Sequence, residues 1–380
     1  MITRIKVRNF KSLEDFELSG LTNFTCLIGL NGAGKTTLLQ FLDFVHSLLQ
    51  GRVSDWFAKH KWSAADVITL GSAKRLIEFE IDIQEGSFLQ TWAARFNIQE
   101  MRCTMETLFN QEGNERKQLL SFEDNKLKLY DNRFSLPQNF KHEGSIFSLL
   151  EPMATAPAEL LLTKAFGVLD PAEIAQATQT KRIKHIEVES NGKGLVGFIS
   201  ALPPDKQTEL FKKLQMFYPA AQGYKIRKQT FGWKNLLFNE LEKVYFDASH
   251  LSYGTLRLLV FLSQFYSENK CLIFDEIENG INQELIEKLL DTLRNFNGKQ
   301  VMVTTHSALV LNYLSDEEAR QSVVLLFKDK KGSTRATRFF ELPEIAEKLR
   351  FLGPGEAMGD TDLVKLSNDL AENAVAGQEK

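Results

Sequence analysis

The stretch that decides the fold is Gly29-Leu30-Asn31-Gly32-Ala33-Gly34-Lys35-Thr36, which fits the pattern G-x-x-x-x-G-K-[ST]. The apolar run before it, residues 24–28, is typical of a buried strand, and the apolar residues after it have the spacing of one helix face. In a strand–loop–helix of this kind, backbone N–H groups and the helix N-terminus surround phosphate oxygens. The pattern therefore predicts a phosphate-binding loop with contacts from Gly29, Asn31, Gly32, Gly34, Lys35, Thr36 and Thr37.

A second apolar run, residues 271–274, ends in the acidic pair Asp275 and Glu276. Such a run predicts a buried strand that delivers carboxylates from its carboxyl end to the phosphate site. We expect Asp275 to hold Mg²⁺ together with the Thr36 hydroxyl, and Glu276 to polarise the water that attacks the phosphate.

A third predicted strand, residues 301–305, ends at His306. A histidine at the end of a strand usually has no special role. Its place after the acidic pair favours a catalytic role here, in which His306 hydrogen-bonds the terminal phosphate or the attacking water.

Composition limits the class of protein. A chain of 380 residues with 43% apolar residues can form one large or two ordinary domains. The net charge of −3 gives no global attraction to nucleic acid or membrane, although a local basic patch stays possible. The three cysteines lie far apart, which favours a reducing cytoplasm over a disulfide framework. No apolar run approaches the roughly 20 residues of a membrane span, so we expect no membrane contact.

The motifs divide the chain into four predicted segments: 1–84 with the phosphate loop, an inserted arm at 85–240, 241–350 with the acidic pair and His306, and a tail at 351–380. Within the insert we expect strands at 91–98 and 102–109 and helices at 146–166 and 205–217. The tail is polar from about Leu366, and we expect it to fray. The pattern predicts an α/β fold with a compact α+β insertion.

Two further stretches allow more than one interpretation. Residues 224–234 interleave basic and aromatic side chains, which fits a nucleic-acid contact and fits better the solvated face of a hairpin. Residues 360–362 have the D-x-D form of a metal-binding pair. We expect an exposed turn before a helix instead, because only 74 residues follow His306, too few for a separate nuclease domain.

Three motifs together resemble one family. Leu251-Ser252-Tyr253-Gly254-Thr255-Leu256-Arg257 resembles the signature motif of ATP-binding-cassette ATPases in the form LS-x-G-T-x-R of their soluble relatives. The opening at residues 7–15 and the sequence D-E-I-E-N-G at 275–280 are similar to the RecF-type and overcoming-lysogenization-defect-type subset. The resemblance covers about 200 residues, the two ATPase halves, and leaves the insert without a counterpart.

The resemblance implies an ATPase with the P-loop fold of the ABC/SMC-head type, which uses ATP and Mg²⁺. It implies that Ser252 and Gly254 contact ATP bound to a facing subunit, and that Lys11 and Ser12 reach the nucleotide. A homodimer or a higher even-numbered oligomer would then act as an ATP switch. We expect the switch to control a separately encoded effector, such as a nuclease or toxin, in anti-phage defence. The alternative is a RecF-like ATPase of DNA repair or recombination that binds DNA.

Overall fold

The computed structural model describes residues 1–130, 132–137, 139–150, 163–166, 179–181, 187–189, 191–228, 233–241, 244–296 and 298–376. Its strands are Ile2–Phe10 (β1), Leu13–Ser19 (β2), Phe24–Ile28 (β3), Leu76–Glu85 (β4), Phe88–Asn97 (β5), Arg102–Glu112 (β6), Glu115–Glu123 (β7), Lys126–Leu129 (β8), Asn132–Ser135 (β9), Thr163–Phe166 (β10), Gln179–Lys181 (β11), Gly223–Lys228 (β12), Trp233–Leu241 (β13), Val244–Asp247 (β14), Cys271–Phe274 (β15), Gln300–Thr304 (β16), Val323–Lys328 (β17) and Thr334–Arg338 (β18). Its α-helices are Lys35–Leu49 (α1), Val53–His60 (α2), Leu195–Ala201 (α3), Pro204–Phe217 (α4), Tyr253–Ser263 (α5), Ile286–Arg294 (α6), Ala308–Leu311 (α7), Asp316–Ser322 (α8), Pro343–Lys348 (α9), Pro354–Gly359 (α10) and Leu363–Ala376 (α11).

The chain divides into two compact units. The first consists of Met1–Ala165, Lys270–Ile273 and Asn297–Lys380, and the second of Phe166–Asn269 and Phe274–Phe296. The second unit therefore interrupts the first twice along the sequence.

An eight-stranded sheet of the first unit has the strand order β2-β1-β4-β5-β6-β7-β8-β9. Alternation along β1 places Ile5 and Val7 in the core and leaves Arg8 exposed. The Arg8 guanidinium pairs with Asp15 on β2 at 3.1 Å and with Glu78 on β4 at 3.9 Å, as opposite charges on neighbouring strands do. The segment boundary predicted at residue 84 falls inside this one sheet.

A six-stranded sheet, with the order β10-β15-β16-β3-β17-β18, carries the predicted motifs. Strands β16 and β17 both pair in parallel with β3. The carboxyl ends of β3 and β16 therefore lie at the same edge of the sheet, where open α/β sheets bind their ligands.

The core of the first unit forms where α1 packs on the eight-stranded sheet. Phe41 and Phe44 on α1 contact Phe10 of β1 at ring-centroid distances of 5.4 Å and 5.5 Å. Phe44 also meets Phe96 of β5 edge-on at 5.1 Å. These aromatic contacts fix the helix that begins at Lys35 against the sheet.

The second unit packs α4 on a small antiparallel sheet in which β13 lies between β11 and β12 and also pairs with β14. Phe211 of α4 contacts Tyr224 of β12 at 5.2 Å. Lys225 lies over the Tyr245 ring at 4.0 Å, and Lys234 donates to Ser200. Tyr224, Lys225 and Lys234 of the basic–aromatic stretch, residues 224–234, therefore pack within their own unit. Residues 229–232 of that stretch lie outside the described residues.

The structure confirms the strands expected at 91–98 and 102–109 and the helix expected at 205–217. The helix expected at 146–166 is wrong where it is described. Ile146–Leu149 is one 3₁₀ turn, Thr163–Phe166 is a strand, and residues 151–162 lie outside the described residues. The fraying expected from Leu366 is also wrong, because α11 continues to Ala376, and Ala371 is buried.

The D-x-D stretch is an exposed turn before a helix, as predicted. Asp362 Oδ1 accepts hydrogen bonds from the backbone N–H groups of Val364 and Lys365, each at 3.0 Å, and thereby caps α11. Asp360 pairs with Lys348 at 2.9 Å.

Candidate functional site

The phosphate loop connects β3 to α1 in the first unit and depends on its glycines. Gly29 has φ +142°, and a Cβ there would lie 2.2 Å from the carbonyl oxygen of Leu326 on β17. Gly34 has φ +111°, and its Cβ would lie 2.2 Å from Oγ1 of Thr334 on β18. Gly32 has φ +78° with open space around it, so only its backbone conformation favours glycine.

Lys35 begins α1, and its side chain folds back over the loop. Its Nζ donates to the carbonyl oxygens of Gly29 at 2.7 Å and Leu30 at 3.2 Å, and only 5% of the residue is exposed. Asn31, Gly32 and Thr36 are exposed around this ammonium group, and Thr37 is half-buried. A positive charge, backbone N–H groups and a hydroxyl thus meet at one helix N-terminus, which suits phosphate.

The hairpin of β1 and β2 reaches the phosphate loop through Thr334, a residue that the sequence patterns did not single out. Ser12 Oγ lies 2.8 Å from Thr334 Oγ1, which in turn donates to the carbonyl of Ala33 at 3.0 Å. The backbone N–H of Thr334 also donates to Ser12 O at 2.7 Å. Since Ser12 and Thr334 are 322 positions apart, no local pattern could have revealed this contact.

Lys11 precedes Ser12 and has φ +46°, an uncommon value outside glycine. Its Nζ donates to Gln40 Oε1 on α1 at 2.9 Å and lies 3.2 Å from the centroid of the Trp62 ring. Burial lowers the Lys11 pKa to about 8, partly opposed by the nearby Asp66.

His306 lies at the edge of the sheet from which the phosphate loop emerges. The preceding residue, Thr305, is buried, and its N–H donates to Leu27 O of β3 at 3.1 Å. His306 itself is exposed. The first unit therefore contains Lys11, the phosphate loop and His306, and His306 follows a strand that pairs in parallel with β3.

The predicted signature residues lie in the second unit, at the start of α5. Ser252 is the N-cap, and its Oγ accepts a hydrogen bond from Thr255 N at 3.2 Å. Gly254 allows a close approach, because a Cβ there would lie 2.0 Å from the carbonyl oxygen of Gly280. The exposed Ser252 hydroxyl thus stands at the positive end of an eleven-residue helix.

The acidic pair also belongs to the second unit and follows β15 directly. Asp275 is 6% exposed, and Glu276 is half-buried with φ +46°. Asn279 Nδ2 donates to Glu276 Oε2 at 3.1 Å. Sequence reasoning did not give a role to Arg257 of α5, whose guanidinium donates to the carbonyl oxygens of Asp275 at 2.7 Å and Glu276 at 2.8 Å. A charged residue inside the apolar run of α5 was the signal for it.

Each unit offers one oxygen ligand of the kind that suits Mg²⁺. Thr36 offers a hydroxyl and Asp275 a carboxylate, and Mg²⁺ prefers such oxygen ligands together with substrate phosphates and water. Among the described residues, no group of three or more His, Cys, Asp or Glu side chains could hold a metal ion by itself. In that same part of the chain, no helix has the length and apolarity that crossing a bilayer requires.

Comparison with known proteins agrees with this geometry. Residues 1–155 match the family model described as "AAA ATPase domain", and residues 169–312 match "AAA domain, putative AbiEii toxin, Type IV TA system". The OLD nuclease of Thermus scotoductus is 36% identical over 93 residues. That match spans 23% of this chain and only 16% of the length of that relative.

Solved structures of SMC heads are similar in fold. An SMC head bound to the C-terminal winged-helix domain of ScpA matches 88% of this chain and 96% of its own, with a TM-score of 0.52 at 13% identity. The SMC head domain from Thermotoga maritima covers 88% of this chain and 98% of its own, with a TM-score of 0.47 at 12% identity. The likeness to the ScpA-bound SMC head confirms the predicted α/β fold class of the ABC/SMC-head type. The two matching family models and the likeness to the OLD nuclease together support an ATPase of the AAA type.

Proposed function

We propose that this chain binds and hydrolyses ATP with the residues predicted from its motifs. The P-loop glycines, Asn31, Lys35 and Thr37 hold the phosphates, Lys11 adds a contact from the hairpin, and His306 contacts the terminal phosphate. Glu276 orients the attacking water. The observation that carries this proposal is the buried Lys35 ammonium, which lies inside a glycine loop at a helix N-terminus.

Thr36 and Asp275 would hold Mg²⁺, which when bound neutralises phosphate charge. Lys35 does not depend on the metal for its own role, since its ammonium group supplies a positive charge and three donors by itself. The Glu276 carboxylate is aimed by the Asn279 amide and needs no ligand to hold that orientation.

We infer that two copies of the chain enclose ATP. The Ser252 hydroxyl and the N-terminus of α5 offer a second phosphate-binding surface, and the resemblance to cassette ATPases favours its use by a facing subunit. ATP would then stabilise a symmetric dimer, and hydrolysis would loosen it.

We propose further that this switch controls a separate effector in anti-phage defence, in the cytoplasm. The support is the description of the matching family model, which names a toxin of a toxin–antitoxin system, and the nuclease among the relatives. A toxin or nuclease gene beside this one would favour defence, whereas neighbouring repair genes would favour the RecF-like alternative.

Native mass measurement tests the ATP-dependent dimer. Glu276→Gln keeps the side-chain shape and slows hydrolysis by roughly 10²-fold or more, so ATP should persist in the closed state. We expect this variant to double its mass with ATP and Mg²⁺ but not with ADP. Lys35→Ala, the control that weakens phosphate binding, should keep the same mass with and without ATP. A mass that is the same under all these conditions would contradict an ATP-dependent dimer.

A further inference from the structure

Arg257 of α5 is a fully buried cation that the proposed mechanism leaves unused. None of its surface is exposed, and its neighbours in the helix are leucines, a valine and a phenylalanine, which offer no charge to pair with it. Burying a cation is costly unless its donors are satisfied. The groups that accept hydrogen bonds from Arg257 therefore indicate its role.

The guanidinium spans one loop, Asp275–Gly280, which follows β15. Nη2 donates to the carbonyl oxygens of Asp275 at 2.7 Å and Glu276 at 2.8 Å, and Nη1 donates to the carbonyl oxygen of Asn279. Both ends of the loop are therefore tied to one rigid, planar group, which a lysine could not replace.

Two further contacts hold the same loop against the first turn of α5. A Cβ at Gly254 would lie 2.0 Å from Gly280 O, and a Cβ at Gly280 would lie 2.3 Å from the Tyr253 ring. These close approaches begin one residue after Ser252, so the proposed phosphate-binding end of α5 and the loop form one packed element.

The loop determines where the Glu276 carboxylate points. The backbone of Glu276 has φ +46°, which costs energy in a residue other than glycine and persists only when neighbours enforce it. Arg257 holds the Glu276 carbonyl, and Asn279 N donates to that same carbonyl at 2.9 Å. Because Arg257 also holds Asn279 O, it fixes the residue whose amide donates to the Glu276 carboxylate.

We propose that Arg257 is a positioning residue, which fixes the Glu276 carboxylate relative to the Ser252 end of α5. The inference rests on the proposed role of Glu276 in hydrolysis. Arg257 touches neither nucleotide nor water in this account. It acts through the backbone carbonyls of the loop, so a phosphate that docks at Ser252 and the carboxylate that orients water share one rigid support.

The test is a double-mutant cycle between Arg257→Lys and Glu276→Gln, with kcat measured from steady-state turnover at saturating ATP and ATP affinity measured separately. Lysine keeps the positive charge but cannot donate to several carbonyl oxygens in the fixed planar geometry of a guanidinium. We therefore expect kcat to fall about 10- to 100-fold, as for small misplacements of a reacting group. ATP affinity should change less than about 3-fold, because Arg257 lies outside the phosphate loop. In the Glu276→Gln background the same change should have almost no further effect. Arg294→Lys, a partly exposed arginine on α6 of the same unit, is the matched control and should match wild type.

Three results would overturn the inference: wild-type kcat in Arg257→Lys, an equal loss of kcat in both backgrounds, or a loss explained by weaker ATP binding. If Arg257→Lys lowers Tm too far to assay, Asn279→Ala replaces it, since it removes only the amide that contacts Glu276. Asn279→Ala should lower kcat without a matching loss of ATP affinity, and it should have almost no further effect in the Glu276→Gln background. Wild-type turnover in Glu276→Gln alone would instead refute the proposed role of Glu276, whereas slow turnover with additive effects would refute only the role of Arg257.

Discussion

At the residue scale, Lys11 shows how a local conformation directs a charged side chain, here one that we propose contacts phosphate. Its left-handed backbone is held by a hydrogen bond from its N–H to Val67 O at 2.9 Å. The side chain is thereby directed to Gln40 and the Trp62 ring, and burial there lowers its pKa to about 8. Lys11 is still mostly charged near neutral pH, with part of its desolvation already complete, so an incoming phosphate gains more from it than from a fully hydrated lysine.

This geometry predicts a pH-dependent affinity for ATP. As pH rises through the folded pKa of about 8, Lys11 loses its proton and its attraction for phosphate. Between about pH 7 and about pH 9.5, the wild-type Kd for ATP should rise about 3- to 10-fold more than that of Lys11→Arg, whose guanidinium stays charged. Fluorescence titration with an ATP analogue measures the Kd of each protein at each pH. Equal pH profiles for the two proteins would rule out a charged contact from Lys11.

At the element scale, Glu106 ties the strand β6 to the segment that follows β9. It is fully buried and accepts hydrogen bonds from Ile146 N at 2.6 Å, from Trp92 Nε1 at 3.3 Å and from Ser145 Oγ. Ser145 N in turn donates to Leu48 O at 2.8 Å, near the end of α1. One carboxyl group therefore helps to anchor the helix that begins with Lys35.

Burial raises the Glu106 pKa to about 7, despite the bonds that favour the charged form. Between the unfolded pKa of about 4.5 and pH 7, the folded chain keeps a proton that the unfolded chain has lost. Stability should therefore fall as pH rises through this window, by on the order of 3 kcal/mol in total. Glu106→Gln should lack this contribution, so its free energy of unfolding relative to wild type should increase from about pH 4.5 to about pH 7.5.

Urea unfolding at several pH values checks this prediction. Glu115→Gln, a change at an exposed position at the start of β7, controls for the loss of one charge. A constant difference between Glu106→Gln and wild type across this pH range would show that Glu106 does not titrate there.

The sequence predicted the elements whose signals are local. The phosphate loop, the run ending in Asp275 and the strand ending at His306 each combine an apolar strand with polar residues at its end, and the structure has all three strands. Where it is described, the segment expected as a helix at 146–166 begins with the 3₁₀ turn Ile146–Leu149 and ends in the strand Thr163–Phe166. The N–H of Ile146 is taken by Glu106, 40 residues earlier, which no periodicity reveals. Thr334 was missed as a site residue for the same reason, since its partner Ala33 is 301 positions away. Arg257 was given no role, although its charge inside the apolar run of α5 is a local signal.

At the scale of the whole molecule, the two units divide the predicted machinery between them. Lys35 and His306 belong to the first unit, whereas Ser252, Asp275 and Glu276 belong to the second. One chain carries one phosphate loop and one signature motif, so a C2 dimer would contain two composite sites. We propose that each site takes its phosphate loop from one subunit and its signature motif from the other.

Mixing two inactive variants tests that claim most directly. Lys35→Ala lacks the charge on the phosphates, and Ser252→Arg places bulk and charge where the ATP of the facing subunit would dock, so each should be nearly inactive alone. A heterodimer of the two regains one intact site. At equal mixing, half of the dimers would carry one working site of two, so ATP turnover should recover to at most about a quarter of wild type. No recovery after verified subunit exchange would contradict the shared site.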